Sequence, residues 1–545
     1  MMETPLNAWM LFDHSPHHAP EAELVSRTPS GEVERRTYAS FGLRTQQLMH
    51  ALDHLGLAQG DRVATLAWNS TRHLEAYFGV PCTGRVLHTL NVRVSPEELA
   101  YMLDDAGDRA VLVDPDLLPG LEQALRLVAS PDQIRVIVLG DRSPDTSLSG
   151  ILVYEDLLAG QPTEYPRRHI EERAPMGLCY TSGTTGRPKG VVYTHRSTFL
   201  HALAVTSHAA MSIGPGDAVL PQVPMIHANA WGMPYASAAV GAKQVFFAGA
   251  LDAAAFVDLM VAERVTVAAG VPTVWLGIAD ELARRGELAR RGELARRGET
   301  LPDLRHIICG GAQPPLALIE RYRSEFGVPI VQAWGMTETS PLASVAWPQE
   351  HMRDWSEEEI TAAARTKAGL PLPGVEISIR DETDTEVPAD GASMGDLLVR
   401  GPWVADSYLH GQGVENFTAD GWFKTGDVAV PSALGYFVIA DRTKDLIKSG
   451  GEWISSVDME DQVMRIDKVV EAAVIAVPDP KWQERPLVCV VLKPGEELTV
   501  DDVRDHLSAA GFAKWQLPER IEVIESVPRT TVGKFDKKLL RSRFG

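Results

Sequence analysis

Residues Tyr180–Gly190 read YTSGTTGRPKG, eleven residues with five hydroxyls, three glycines and one lysine. Gly, Ser, Thr and Pro at this density break helices and strands, so the stretch is first of all a turn. A plain turn has no need of Lys189, nor of the hydroxyls of Thr181, Ser182, Thr184 and Thr185, each a hydrogen-bond donor. Gly183, Gly186 and Gly190 lack a Cβ, so main-chain N–H groups there can approach an anion closely. On these residues alone a phosphate cradle and a surface turn both stay open. The Walker A pattern is not met, because Lys189 sits between Pro188 and Gly190 instead of before Ser or Thr at a helix start. The flanks MGLCY and GVVYTH are short and rich in strand formers, so the loop is expected to join two strands.

Outward from this loop the same texture repeats. DRVATLAW (Asp61–Trp68), RAVLVD (Arg109–Asp114), IRVIVLG (Ile134–Gly140), KQVFFAG (Lys243–Gly249) and RHIICGG (Arg305–Gly311) read as short strands. Amphipathic segments lie between them, such as SPEELAYMLDDAG, opened by an S-x-x-E box at Ser95 and Glu98. This is an α/β pattern of layered sheets. From Gly374 to Ala440 the strands crowd together between Gly and Pro turns, which indicates a smaller β-rich subdomain. After Asp441 a unit of about a hundred residues has helices and strands enough for its own core. The expected architecture is a large multi-subdomain N-terminal domain, 1–440, and a small mobile α+β C-terminal domain, 441–545. The charged junction DRTKDLIKSGGEW, with Gly450-Gly451 near its end, is the expected hinge. ELARRG occurs three times from Glu281 to Gly298; its six-residue period keeps Leu282, Leu288 and Leu294 off a common helical face, and it reads as a solvated surface insertion with no catalytic role. An i,i+4 pair of Glu281 with Arg285 is available there.

Across 545 residues, 45% are hydrophobic and 23% charged, ordinary for a globular protein of two to four domains. The net charge of −21 argues against nucleic acid or an anionic membrane surface as a diffuse partner. Cys82, Cys179, Cys309 and Cys489 are scattered without metal-ligand spacing and are expected to be buried thiols in a reducing compartment. The N-terminal residues lack the basic and apolar regions of a secretory signal, and no apolar run is long enough for a membrane span, so a cytoplasmic location is expected.

Five further stretches carry chemistry: PMIHANAW (Pro224–Trp231), AWGMTETSP (Ala333–Pro341), GWFKTGDVA (Gly421–Ala429), DRTKDLIKSGGEWIS (Asp441–Ser455) and PRTTVGK (Pro528–Lys534). In this order, with YTSGTTGRPKG at the head, they resemble the signature of the acyl-adenylate-forming superfamily of acyl-CoA synthetases, peptide-synthetase adenylation domains and beetle luciferases. The resemblance spans nearly the whole chain and is nearest to bacterial medium- and long-chain fatty acyl-CoA synthetases. It implies ATP-dependent joining of a carboxylate to AMP, with Mg²⁺, then transfer to coenzyme A.

The resemblance also implies roles. Thr181, Ser182, Gly183, Thr184, Thr185 and Lys189 cradle the pyrophosphate end of ATP. Thr337 contacts phosphate, and Thr184 and Glu338 stand on the metal side. Gly311, Ala312 and Gln313, with Gly310, line the nucleotide and acyl-head pocket; Trp334 stacks on adenine; Asp427 accepts from both ribose hydroxyls. Arg442, Lys444 and Lys448 supply positive charge near ribose and α-phosphate, and Trp453 packs beside the nucleotide. Lys534 bridges carboxylate and α-phosphate during adenylation and is withdrawn by rotation about Asp441. His227 and Trp231 match the mouth of the acyl tunnel, where the indole acts as a gate, and core packing is the competing reading for both. Ala333 replaces a usual Gly before the stacking aromatic, which implies a narrower pocket. The expected partners are small molecules alone (fatty acid, ATP and CoA), with a homodimer left open. The alternatives are a ligase for another hydrophobic or sulfur-containing short acid, and a non-catalytic nucleotide-binding regulator; retention of Glu338 and Lys534 speaks against the second.

Overall fold

Two short apolar runs flank the Thr181–Lys189 loop, and both become strands of one sheet. The computed structural model describes the chain except residues 1, 143, 182–186, 291–300, 443–444, 450–451 and 530–534 and the side chains of 288–290 and 452–453. The chain folds into two compact units: Met1–Gln349 with Pro371–Val375 and Gly401–Glu415, and Glu350–Leu370 with Glu376–Arg400 and Asn416–Gly545.

In chain order the strands of the first unit are β1 (Glu23–Arg27), β2 (Val33–Thr37), β3 (Arg62–Leu66), β4 (Val86–Thr89), β5 (Asp108–Val113), β6 (Arg135–Val138), β7 (Leu152–Val153), β8 (Pro175–Tyr180), β9 (Gly190–Thr194), β10 (Ala218–Pro221), β11 (Lys243–Phe247), β12 (Val267–Gly270), β13 (His306–Cys309), β14 (Ile330–Gly335) and β15 (Leu342–Val345). One sheet runs β7-β6-β5-β3-β4-β8-β9, parallel throughout except for the final β8–β9 hairpin. The other runs β15-β14-β13-β12-β10-β11-β1-β2, with the two-residue strand Leu370–Pro371 beyond β15; it is parallel from β14 to β1 and antiparallel at the β14–β15 and β1–β2 pairs. Each sheet therefore ends its parallel run in a hairpin whose turn lies past the carboxyl end of the last parallel strand. Open α/β sheets bind ligands at such ends.

The helices between strands follow from local rules. Pro96–Ala106 starts at Ser95, whose hydroxyl accepts from Glu98 N–H at 3.2 Å, and stops at Gly107 with φ 64°. Its Leu99, Met102, Leu103 and Ala106 recur at helical spacing and are buried, the first three in a cluster with Val111, Val113 and Leu121. The second sheet has its own cluster around Trp275, Phe256 and Tyr322, with each large side chain contributing about 1.5–3 kcal/mol on burial. All four cysteines are free and buried.

The first ELARRG copy departs from the expectation of a solvated insertion. The helix Pro272–Arg290 runs through it, with Leu282 packed in the Trp275 cluster and Arg285 buried against Glu281 at 2.7 Å and Asp258 at 2.7 Å. Leu282 meets the core even though the six-residue period gives the repeat no common apolar face. The third copy lies outside the described residues.

The second unit contains a four-stranded antiparallel sheet, Glu376–Arg380, Gly395–Arg400, Phe423–Pro431 and Phe437–Arg442. A five-stranded sheet is built on the hairpin Val469–Asp479 with Gln483–Leu492, flanked by Arg520–Val523, Ile447–Ser449 and Glu452–Ile454. Its helix Ser456–Val463 packs into the core of that sheet through Met459 and Val463. No helix among the described residues is long and apolar enough to cross a membrane.

Candidate active site

The loop's stem closes as an antiparallel hairpin. Thr181 N–H donates to the Lys189 carbonyl at 2.9 Å, and Lys189 N–H donates to the Thr181 hydroxyl at 3.3 Å. Residues 182–186 of the cradle, Thr184 of the expected metal pair among them, lie outside the described residues, but this stem fixes where the loop leaves and returns. Tyr180, at the end of β8, is tied to the end of the helix Pro96–Ala106 by its hydroxyl, which donates to Asp105 at 2.6 Å. Burial and the Asp105 carboxylate together raise the Tyr180 pKa, so the phenol stays protonated.

Thr337 and Glu338 lie in the single 3₁₀ turn Thr337–Thr339 that follows β14, and both are buried. The turn is held at its neck by a close approach: a Cβ on Gly335 would meet the Pro341 carbonyl oxygen at 1.8 Å. Only glycine fits there. The same carbonyl accepts Met336 N–H at 3.1 Å and the Thr339 hydroxyl. Tyr193 of β9 donates its hydroxyl to the Thr337 carbonyl at 2.8 Å, so the two hairpins are directly linked.

Tyr408, which stands outside every motif singled out in the sequence, lies between them. Its hydroxyl donates to Glu338 Oε1 at 2.6 Å, and the Lys189 ammonium stands 5.1 Å from its ring centroid. Glu415 is 3.6 Å from the same ammonium. Lys189, Thr337 and Glu338 are thus brought to one place at the carboxyl ends of both parallel runs. Tyr408 sits in an irregular segment with neither periodicity nor a repeated residue pattern, so no sequence signal pointed to it.

The acyl-side candidates converge on the same sheet ends. Trp231 is 7% exposed, and a Cβ on Gly310 would come within 3.0 Å of its ring and 2.8 Å of the Ala333 carbonyl oxygen. Gly311, with φ 79°, and Ala312 are exposed just beyond β13; Gln313 is half-buried beside them, as is Trp334 near the end of β14. His227 precedes an unusual turn. Ala228, Asn229, Ala230 and Trp231 have φ of 42°, 54°, 48° and 56°, and Gly232 follows at 74°. A left-handed run of non-glycine residues costs about 1–2 kcal/mol per residue, a strain that surrounding contacts must hold. Asn229 accepts from the Cys179 thiol at 3.5 Å, and burial pushes that thiol up to about 11. A Cβ on Gly232 would meet His201 at 2.6 Å. His201 accepts Leu342 N–H at 3.1 Å and is kept neutral by burial, which lowers its pKa to about 3.

Two candidates meet in the second unit. Asp427 is 3% exposed and receives Arg442 Nε at 2.7 Å, with its own N–H donating to the Thr425 hydroxyl at 3.0 Å. Lys448 is exposed, its N–H donates to Glu484 at 2.8 Å, and its backbone pairs with that of Trp453. Lys444 and Lys534 lie outside the described residues.

The AMP-binding enzyme family model matches residues 12–409, and the model of the AMP-binding enzyme C-terminal domain matches 458–534. A long-chain-fatty-acid–CoA ligase of Thermus thermophilus is 45% identical, covering 100% of this chain and 96% of its own. A 3-methylmercaptopropionyl-CoA ligase of Ruegeria pomeroyi is 40% identical over 100% of this chain and 98% of its own. A medium-chain-fatty-acid–CoA ligase of Ectopseudomonas oleovorans is 38% identical, again over 100% of this chain and 97% of its own. Among solved structures, an anthranilate CoA ligase in complex with anthranoyl-AMP superposes with a TM-score of 0.85 at 25% identity, covering 99% of this chain and 98% of that one.

Proposed function

The chain belongs to the AMP-binding enzyme family, and on that premise we propose that it joins a medium- or long-chain fatty acid to coenzyme A through an acyl-adenylate, releasing pyrophosphate and AMP. The observation that carries the reading is the meeting of Lys189, Thr337 and Glu338 at the carboxyl ends of the two parallel runs, with Lys189 and Glu338 joined through Tyr408 and Thr337 held by Tyr193.

In the first half-reaction a carboxylate oxygen bonds to the α-phosphorus of ATP while the bond to pyrophosphate breaks. Negative charge grows on phosphorus oxygens, so preorganised cations and donors lower the barrier. Lys189 offers an ammonium at the loop's return, and Thr337 a hydroxyl beside Glu338. A carboxylate with a neighbouring hydroxyl is a hard-oxygen donor set suited to Mg²⁺, which nucleotide sites bind through one or two carboxylates together with phosphate oxygens. When bound, Mg²⁺ neutralises developing phosphate charge. Asp427, which pairs with Arg442, is proposed to accept the ribose hydroxyls, Trp334 to stack on the base, and Gly311, Ala312 and Gln313 to line the pocket; Arg442, Lys444, Lys448 and Trp453 are proposed to act on the nucleotide side. Ser182, Gly183, Thr184 and Thr185, outside the described residues, are proposed to complete the cradle, with Thr184 proposed to serve the metal. Lys534 is proposed to bridge both reactants and then to leave as residues 441–545 turn against 1–440 about Asp441. In the second half-reaction the CoA thiol, losing its proton, attacks the carbonyl carbon, and the bond to AMP breaks. His227, Trp231 and Ala333 are proposed to line the entry of the acyl chain.

The relative acting on 3-methylmercaptopropionate supports a second reading, a ligase for a short sulfur-containing acid. Pyrophosphate release measured over acids from acetate to palmitate and over 3-(methylthio)propionate, with and without CoA, separates the two. Fatty acids of eight or more carbons are expected to give the highest kcat/KM, and absence of acid-dependent pyrophosphate release with every acid refutes the ligase reading. The enzyme is proposed to work in the cytoplasm, in keeping with its four free cysteines, and as a homodimer, which sedimentation equilibrium tests.

A further inference from the structure

Gly401–Glu415 departs from its sequence neighbours and packs with the first unit. It forms a strap fixed at both ends. At one end the Ser340 hydroxyl donates to the Trp403 carbonyl at 2.6 Å, Trp403 Nε1 donates to the Leu342 carbonyl at 3.0 Å, and Ala405 N–H donates to the Glu338 carbonyl at 2.7 Å. At the other end Tyr408 makes an antiparallel bridge with Val191 of β9, Leu409 packs with Leu178 and Tyr180, and the His410 ring reaches the Asp105 carbonyl at 2.9 Å. These bonds anchor Tyr408, 7% exposed, against both hairpins.

We propose that Tyr408 is a positioning residue that sets the two anion-handling groups separately: its hydroxyl orients the Glu338 carboxylate for the metal, and its ring face holds the Lys189 ammonium for the polyphosphate. A hydrogen bond of 2.6 Å from a phenol to a carboxylate is short and directional, and it fixes which way Oε1 faces. Partners that orient a metal ligand in this way typically change metal affinity or activity by about 10–100-fold when removed. The ring contributes otherwise, by attraction between its π face and the cation, and so keeps Lys189 from settling wholly on Glu415, 3.6 Å away. This inference rests on the reading of Glu338 as the metal-side carboxylate.

The test uses the full-length chain with Mn²⁺ as the metal probe, read by electron paramagnetic resonance in the presence of ATP, alongside calorimetric affinity for metal-free ATP. Tyr408→Phe keeps the ring and is expected to weaken Mn²⁺ binding to the ATP complex about tenfold, with metal-free ATP affinity unchanged. Tyr408→Leu is expected to show the same metal loss and, in addition, about threefold weaker metal-free ATP binding. A double-mutant cycle with Glu338→Gln separates orientation from a general structural effect, since the Tyr408→Phe loss must vanish when Glu338 is already neutral. Unchanged Mn²⁺ affinity in Tyr408→Phe, or the same loss in the Glu338→Gln background, overturns the proposal. Failure of the wild-type protein to bind Mn²⁺ with ATP refutes instead the functional reading beneath it.

Discussion

Substituting Gly335 by Ala tests how tightly the turn bearing Thr337 and Glu338 is fixed. The new methyl would lie 1.8 Å from the Pro341 carbonyl oxygen, 2.8 Å from its carbon and 3.2 Å from Ala343 N, all main-chain atoms that no side-chain rotation can move aside. Carbon–oxygen contacts below about 3.0 Å are essentially never seen, so β14 and the 341–343 segment must separate by about 1.2 Å. That opening strains the Met336 and Thr339 bonds to the same oxygen and carries Glu338 and Trp334 with it. Overpacking of this kind costs about 1–3 kcal/mol of stability, and a displacement of about 1 Å at a reacting site costs about 100-fold in rate. Acid-dependent exchange of labelled pyrophosphate into ATP measures the adenylation step, where the loss is expected; a thermal melt measures the rest. Gly120→Ala is the control, because nothing lies within 4 Å of its added carbon and it sits in the helix Leu118–Leu125; it should gain about 0.5–1 kcal/mol. Exchange within threefold of wild type in Gly335→Ala, with an unchanged melting temperature, would refute the argument.

Three further outcomes are expected. Trp231→Ala removes a ring that packs on Gly310 and should cost about 3–5 kcal/mol, and if the indole gates the acyl entry it should also shift the chain-length profile of kcat/KM; an unchanged profile over a fatty-acid series assigns Trp231 to packing. Asp114 accepts Trp68 N–H at 2.7 Å, and burial raises its pKa to about 7, above the unfolded value of 3.8; its contribution is therefore full below about pH 3.8 and is lost as pH rises through about 7, at up to about 1.4 kcal/mol per pH unit. Asp114→Asn should accordingly gain in urea midpoint over wild type between pH 5 and pH 8, and an equal difference at both pH values rejects the shift. In the second unit the half-buried Lys537 meets Glu460 at 2.7 Å and Ser456 at 2.5 Å; burial presses its pKa down, but Glu460 and Asp441 outweigh it and hold the ammonium charged. Lys537→Met removes the ion-pair partner of the buried Glu460 and should cost about 3 kcal/mol, a fall of about 6–12 °C in Tm, part of which Lys537→Met with Glu460→Gln restores; a melt within 2 °C of wild type contradicts this.

Local chemistry was legible from the residues alone. The loop Tyr180–Gly190 announced its own strand–turn–strand form, because β-rich flanks and helix-breaking residues act over a few positions. The helix from Pro96 followed from Ser95 and the spacing of Leu99, Met102, Leu103 and Ala106, and the strands from runs such as RAVLVD, for the same reason. The resemblance carried the motifs of the site, since each motif is contiguous. Tertiary structure alone decided what contiguity cannot express. Tyr408 reaches Glu338, seventy residues earlier in the chain, and Lys189, still further back, through a strap without periodicity. The strain at Ala228–Gly232 is invisible to composition, because alanine and tryptophan adopt positive φ only when neighbours such as Asn229 and His201 hold them there. The first ELARRG copy buries Leu282 and Arg285 although its period matches no helical face, because burial depends on what packs against one leucine and not on the repeat. Local propensities are properties of a segment, whereas close approaches such as Gly335 against Pro341 are properties of two segments that only folding brings together.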